Sequence, residues 1–131
     1  MPFARWSLKN DRPAIEITLT DASGQKKTRT LLADTGAGDA QDQFDLVLHM
    51  LDCAQHGGVF TQSISVSGAF IGNHPAFDIY VEIPLLGYRE QVVAVGVPYL
   101  PPDFDGIACF RFLNRFTYGN FSDKNAFGLE T

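Results

Sequence analysis

The stretch LLADTGAGDA, residues 31–40, runs two leucines and an alanine into an acid and continues with small or hydroxylated residues. A carboxylate at the end of an apolar run is disfavoured by desolvation unless polar partners hold it there. Its position therefore asks what delivers Asp34 and what surrounds it. Immediately upstream, AIEITLT at residues 14–20 alternates apolar and polar side chains with period two, the pattern of a strand with one buried face. DASG at 21–24 is turn chemistry, and QKKTRTLLA at 25–33 resumes strand-like residues. Residues 14–33 read as a β-hairpin whose second strand carries the chain straight into Asp34.

Downstream, DQFDLVLHMLDCAQHGG places Phe44, Val47, Leu48, Leu51 and Ala54 at spacings of three and four. That spacing predicts a helix over residues 42–56, with Asp42 as N-cap and Gly57 as the stop. Strand-like sequence then returns in VFTQSISVSGAF, AFDIYVEIPLL and EQVVAVGV. Between the first two, SGAFIGNHP at residues 67–75 interrupts with glycines, an asparagine and a proline, and reads as the tip of a long hairpin. Pro98, Pro101 and Pro102 mark an irregular connection, after which DGIACFRFLNRF at 105–116 has the Phe110 and Leu113 spacing of a short helix. FTYGNF and AFGLE are each expected to add a strand.

The chain as a whole sets bounds on function. Its 131 residues suit one domain, residues 1–131, and its 45% apolar and 19% charged content is that of a folded globule. A net charge of −5 without a basic cluster argues against nucleic acid as a partner. No apolar run approaches the about 18 residues of a membrane span, and MPFARWSLKN lacks the apolar core of a signal peptide, so a cytoplasmic protein without a membrane partner is expected. Cys53 and Cys109 form no close motif, and free thiols are the expectation. His49, Cys53 and His56 would share one helical face, as a metal site requires, but they supply only three ligands and fall opposite the apolar stripe. A solvated face is the expectation there, with no metal and no cofactor. His74, alone near the hairpin tip, reads as a turn residue. The aromatic residues Phe104, Phe110, Phe112, Phe116, Tyr118 and Phe121 read as core or as a seam between chains.

A strand ending in apolar residues, followed by Asp34-Thr35-Gly36-Ala37, resembles the catalytic loop of the pepsin-type aspartic proteases. A single copy in so short a chain is similar to the retropepsin branch, and to its bacterial rather than its viral members. The likeness runs in order over residues 14–121: the hairpin at 14–33, the loop at 34–37, a flap-like hairpin at 67–75, and the closing segment at 105–116. It implies a mostly β fold: a closed β-barrel with one or two short helices, a flap hairpin and pairing of two identical chains.

The resemblance implies an aspartic endopeptidase in which Asp34 of each chain shares a two-fold axis. Two adjacent carboxylates cannot both ionise, so one serves as acid while the other deprotonates a water. Thr35 and Gly36 would support the loop, Gly36 by letting backbone amides approach where a β-carbon would obstruct. Ala37, Gly38, Gly68, Ala69, Phe70, Ile71 and Gly72 would bind an extended polypeptide substrate, the last five from the flap. Each of these residues also has a plainer reading, as turn chemistry or as a surface hairpin.

The chain departs from the family pattern at three places. Cys109 stands after Ile107-Ala108 where the family has glycine, so a side chain must fit behind the loop. GDAQDQFD after the loop is unusually acidic: Asp39 and Asp42 would act on Asp34 or on a basic substrate group if close to it, but an acid-rich helix N-terminus is the preferred reading. The tail FSDKNAFGLET does not match the dimer strand of the viral enzymes. A second function class follows from the first two departures: a catalytically impaired module of the same fold that binds extended peptides or scaffolds a partner.

Overall fold

The apolar run before Asp34 is unbroken because its strand is covered on both faces. In the computed structural model, which describes residues 2–39, 41–56 and 59–131, the chain forms strands β1 (Phe3–Ser7), β2 (Ala14–Thr20), β3 (Lys26–Ala33) and β4 (Leu46–His49), then helix α1 (Met50–Gln55). Strands β5 (Val59–Val66), β6 (Gly72–Ile83), β7 (Tyr88–Val97) and β8 (Gly106–Ala108) follow. Helix α2 (Phe110–Leu113) and strands β9 (Thr117–Gly119) and β10 (Ala126–Glu130) complete the chain. Among the described residues no helix is long and apolar enough to cross a membrane.

The main sheet runs β2-β3-β8-β4-β7-β6-β5, and a further pairing of β2 with β6 at Thr18↔Glu82 and Leu19↔Val81 closes its first six strands into a barrel. The fold is thus mostly β, a closed six-stranded barrel with two short helices. Strand β5 hangs outside the closure as a partner of β6 alone. The expected hairpin is present as β2 and β3, in register from Ala14↔Leu32 to Thr20↔Lys26.

Alternation within the central strands feeds two apolar clusters. From β3, Leu31 and Ala33 join the larger cluster while Leu32 joins the second; from β4, Leu46 and Leu48 join the larger and Val47 the second. Strand β7 divides in the same way, with Val92 and Ala94 on one side and Val95 and Val97 on the other. The larger cluster extends to Ala4, Phe127 and Leu129 of the separate three-stranded sheet β1-β10-β9. Phe112, Phe116 and Tyr88 meet edge-on within it, with ring centroids 5.2–5.9 Å apart. Of the six aromatic residues singled out in the sequence, Phe104, Phe112 and Phe116 are buried, Phe110 and Tyr118 are half-buried, and Phe121 is exposed.

One element differs in kind from the sequence expectation. The helix expected over 42–56 is a strand, Leu46–His49, followed by a helix that begins only at Met50. The apolar spacing misleads because β4 lies between β8 and β7 with Leu46, Val47 and Leu48 all buried, and a short, wholly apolar run has no period of its own. Leu51 is 61% exposed and Ala54 is exposed, so the supposed stripe does not face the core. Asp42 is no N-cap; the His49 ring takes that role by accepting from the Leu51 amide. Gly57, the expected stop, lies outside the described residues.

Smaller corrections follow from pairing. β6 begins at Gly72, so Asn73, His74 and Pro75 belong to the strand and the hairpin tip narrows to Ser67–Ile71. Pro75 is tolerated because it pairs with Ser63 of β5 on one side and precedes the first rung with β7, Ala76↔Val95. FTYGNF and AFGLE do form β9 and β10, and the tail pairs with β1 of its own chain, Phe3↔Glu130 to Ser7↔Ala126.

Candidate functional site

Strand β3 runs parallel to β8, with Leu31↔Gly106, Leu32↔Ile107 and Ala33↔Ala108, and its last hydrogen bond reaches one residue further, where the Asp34 amide donates to the Ala108 carbonyl at 3.0 Å. The chain then turns sharply. The Ala37 amide donates to the Asp34 carbonyl at 3.1 Å, and the Gly36 amide donates to Asp34 Oδ1 at 3.0 Å. Asp34 is half-buried, while Thr35 and Gly36 are exposed. A β-carbon on Gly36 would sit 3.3 Å from Asp34 Oδ1, tight enough to push the carboxylate away from its backbone donor.

The loop faces a cavity of about 350 Å³ whose opposite wall is the tip of the β5–β6 hairpin. Asp34, Gly36, Ala37, Gly38 and Asp42 line one side, and Ser65 to Phe70 line the other, over an apolar floor of Phe44, Val47, Ile107 and Cys109. Of the residues expected from sequence, Asp34, Gly36, Ala37, Gly38, Gly68, Ala69 and Phe70 therefore meet around one cavity. Thr35, Ile71 and Gly72 stand outside its lining, and Ile71 is 78% exposed at the tip.

Local chemistry shapes the hairpin tip. Gly68 to Phe70 form a 3-10 turn closed by the Ile71 amide donating to the Gly68 carbonyl at 3.2 Å. The His74 ring nitrogen Nε2 lies 2.7 Å from the Phe70 carbonyl oxygen, and Phe70 rests against Tyr99 with ring centroids 6.1 Å apart. His74 is thus a turn residue, as expected, and it ties down the residue that closes one end of the cavity.

The acidic segment after the loop is not a helix N-terminus, because no helix begins before Met50. Asp42 turns back instead, and its Oδ2 accepts from the Asp39 amide at 2.7 Å. Its carboxylate occupies the space that a side chain on Gly38 would need, and Gly38 has φ +75°. Asp42 is thereby drawn into the same cavity as Asp34, while Asp39 is exposed and outside it.

Cys109, in the position the sequence comparison reserved for glycine, is buried beneath the loop at 1% exposure. Burial, and then the negative charges of Asp34, Asp45 and Asp42, push its thiol up to about 12. It is a neutral floor to the cavity rather than a nucleophile. Cys53 is likewise buried and pushed up to about 12, by burial and then Asp52, and both cysteines are free thiols.

His49, Cys53 and His56 do not form the solvated face expected of them. His49 caps the helix, Cys53 is fully buried, and the His56 side chain is 1% exposed. The residue that sequence reasoning passed over is Asp52: it accepts from Arg29 Nε and Nη2, both at 2.8 Å, in a bidentate pair beside His56. No group of three or more potential metal ligands gathers among the described residues.

A second missed residue, Asp45, is 1% exposed and accepts from the Val93 amide at 3.0 Å and Arg115 Nη2 at 2.7 Å. Its carbonyl accepts from the Cys109 amide at 3.0 Å, which joins β4 to the start of α2 directly behind the Asp34 loop. The sequence signal for Asp45 was its place beside an apolar run that turned out to be a strand. No family model, curated protein or solved structure matches this chain.

Proposed function

We propose that the protein is a retropepsin-like aspartic endopeptidase that acts as a homodimer, with one Asp34 from each chain activating a water against the scissile carbonyl of an extended polypeptide. The observation that carries this reading is the presentation of Asp34: a half-buried carboxylate, held by a backbone amide at 3.0 Å, on the wall of a cavity roofed by a long hairpin. One chain offers a single such acid at this cavity, whose other carboxylate, Asp42, is occupied by the Asp39 amide. General acid and general base roles need two carboxylates whose proton affinities split, which a second copy of the loop provides. The exposure of Thr35 and Gly36 leaves the loop free to meet that copy.

The β5–β6 hairpin is the flap of this proposal. Its tip residues Gly68, Ala69 and Phe70 offer backbone groups and an apolar cover, so an extended peptide would be held as an added strand and shielded from water. Cleavage of an unstructured polypeptide by the purified protein tests the reading, with Asp34→Asn as the variant and sedimentation as the check on assembly. Loss of cleavage in a folded, still dimeric Asp34→Asn protein is expected; undiminished cleavage by that variant refutes it.

One observation favours a second reading. The Cys109 side chain fills space beneath the loop that the retropepsin pattern leaves to glycine. A loop displaced by that side chain would leave a peptide-binding module without turnover. Saturable binding of an extended peptide by the wild type, with no cleavage from acid to neutral pH, would select it.

A further inference from the structure

The loop from Asp34 to Asp42 is anchored at its start, middle and end by one short segment, Ala108 to Arg111. The Asp34 amide donates to the Ala108 carbonyl at 3.0 Å, and the Phe110 amide donates to the Ala37 carbonyl at 3.0 Å. Arg111 Nη1 donates to the Asp42 carbonyl at 2.8 Å. The first two anchors are backbone to backbone and are indifferent to side-chain identity. The third depends entirely on one guanidinium.

That guanidinium is aimed by a buried charge. Arg111 Nε lies 3.5 Å from Asp45 Oδ1, and Asp45 is itself fixed by the Val93 amide and by Arg115. A line of polar contacts therefore runs from β7 through Asp45 and Arg111 to the carbonyl of Asp42. The planar guanidinium suits this bridging role, since Nε and Nη1 can serve two acceptors at once, whereas an ammonium acts as a single point charge.

We infer that Arg111 is a positioning residue for the substrate-binding wall of the cleft: by holding the Asp42 carbonyl it keeps the Asp42 carboxylate folded back under Gly38, where it receives the Asp39 amide and shapes the cavity beside Asp34. This rests on the reading of that cavity as the peptide-binding cleft. Asp34 is held separately, by its own amide, by the Ala37 amide on its carbonyl and by the Gly36 amide on its carboxylate. Arg111 thus governs how well substrate is held and leaves the chemistry of Asp34 largely alone.

The test uses the full chain with Arg111→Met, which keeps an unbranched apolar side chain, and Arg111→Lys, which keeps the charge. By amide hydrogen exchange, the Asp39 amide is expected to exchange roughly tenfold faster in Arg111→Met, while the Gly36 amide is unchanged, because only the former bond depends on Asp42 being held. With an unstructured peptide substrate, KM is expected to rise roughly tenfold and kcat to stay within about twofold, the signature of lost ground-state binding. Arg111→Lys is expected to fall between Arg111→Met and the wild type on both readouts. A fall in kcat at constant KM, which loss of folded molecules alone produces, or an unchanged Asp39 amide overturns the inference. Absence of cleavage by the wild type would defeat the peptidase reading, and the exchange of the Asp39 and Gly36 amides would still decide the role of Arg111.

Discussion

Replacing Asp45 by asparagine removes a negative charge from a site that is 1% exposed while keeping nearly the same shape. The wild-type carboxylate accepts from Arg115 Nη2 at 2.7 Å and from the Val93 amide at 3.0 Å, and stands 3.5 Å from Arg111 Nε. Breaking a buried ion pair on one side destabilises by about 3–5 kcal/mol when the surviving charge is sealed from water. Here the survivors are arginines whose side chains are 32% and 34% exposed, so they recover part of their hydration. The carboxamide oxygen can also still accept from Val93. Both effects place the expected loss at about 2–3 kcal/mol. With a urea slope of about 1–3 kcal/mol per molar, the unfolding midpoint should fall by about 1–2 M at unchanged slope. Asp45→Ala should be worse by about 1–3 kcal/mol, because the Val93 amide then loses its partner. Equilibrium urea unfolding followed by circular dichroism measures both variants. A midpoint shift under about 0.3 M for Asp45→Asn would refute the claim that this carboxylate holds α2 to the barrel.

Three further outcomes are expected. Gly38→Ala forces a β-carbon into the Asp42 carboxylate at a positive φ, so a roughly tenfold loss of peptide affinity is expected alongside at most about 2 kcal/mol of stability, read by titration and urea unfolding. Cys53 and Cys109 should both resist alkylation in the native protein at pH 8 and react in urea, because burial pushes each thiol up to about 12; mass spectrometry that finds a labelled native cysteine contradicts this. His56 titrates below its usual range chiefly because it is buried, against an opposing pull from Asp52. Its folded form therefore binds fewer protons than the unfolded chain just below pH 6.5, so the stability it contributes is complete above that pH and is lost as pH falls. Urea midpoints between pH 8 and pH 5 should drop more for the wild type than for His56→Phe.

The parts of this fold that were legible are those in which local pattern and tertiary role agree. AIEITLT alternates because β2 has one face in the core, and DASG turns because Asp21 Oδ1 accepts from the amides of both Ser23 and Gln25 at 2.9 Å. Strand β4 was illegible for the opposite reason. Its LVLH is covered on both faces, so alternation vanishes and the leftover spacing of apolar residues imitates a helix. The same error hid Asp45 and Asp52, because a helical reading sent both to solvent, whereas the structure buries each against arginines distant in sequence. β1 was missed because its pairing with β10 spans nearly the whole chain and leaves no mark on local sequence.

The site divides along the same line. Asp34, Gly36 and Gly38 could be placed from sequence because their constraints are local: a turn, an amide-to-carboxylate bond two residues apart, a positive φ. What positions the loop is not local. Ala108, Phe110 and Arg111 reach it across about 70 residues of chain, through a parallel strand pairing that no periodicity announces. Arg111 does this with a side chain whose sequence context, CFRFLN, reads only as the exposed position of a short amphipathic turn. A mutation there would look harmless in the sequence, and it is expected to be felt first in substrate affinity, because the carbonyl it holds belongs to the wall of the cleft and not to Asp34.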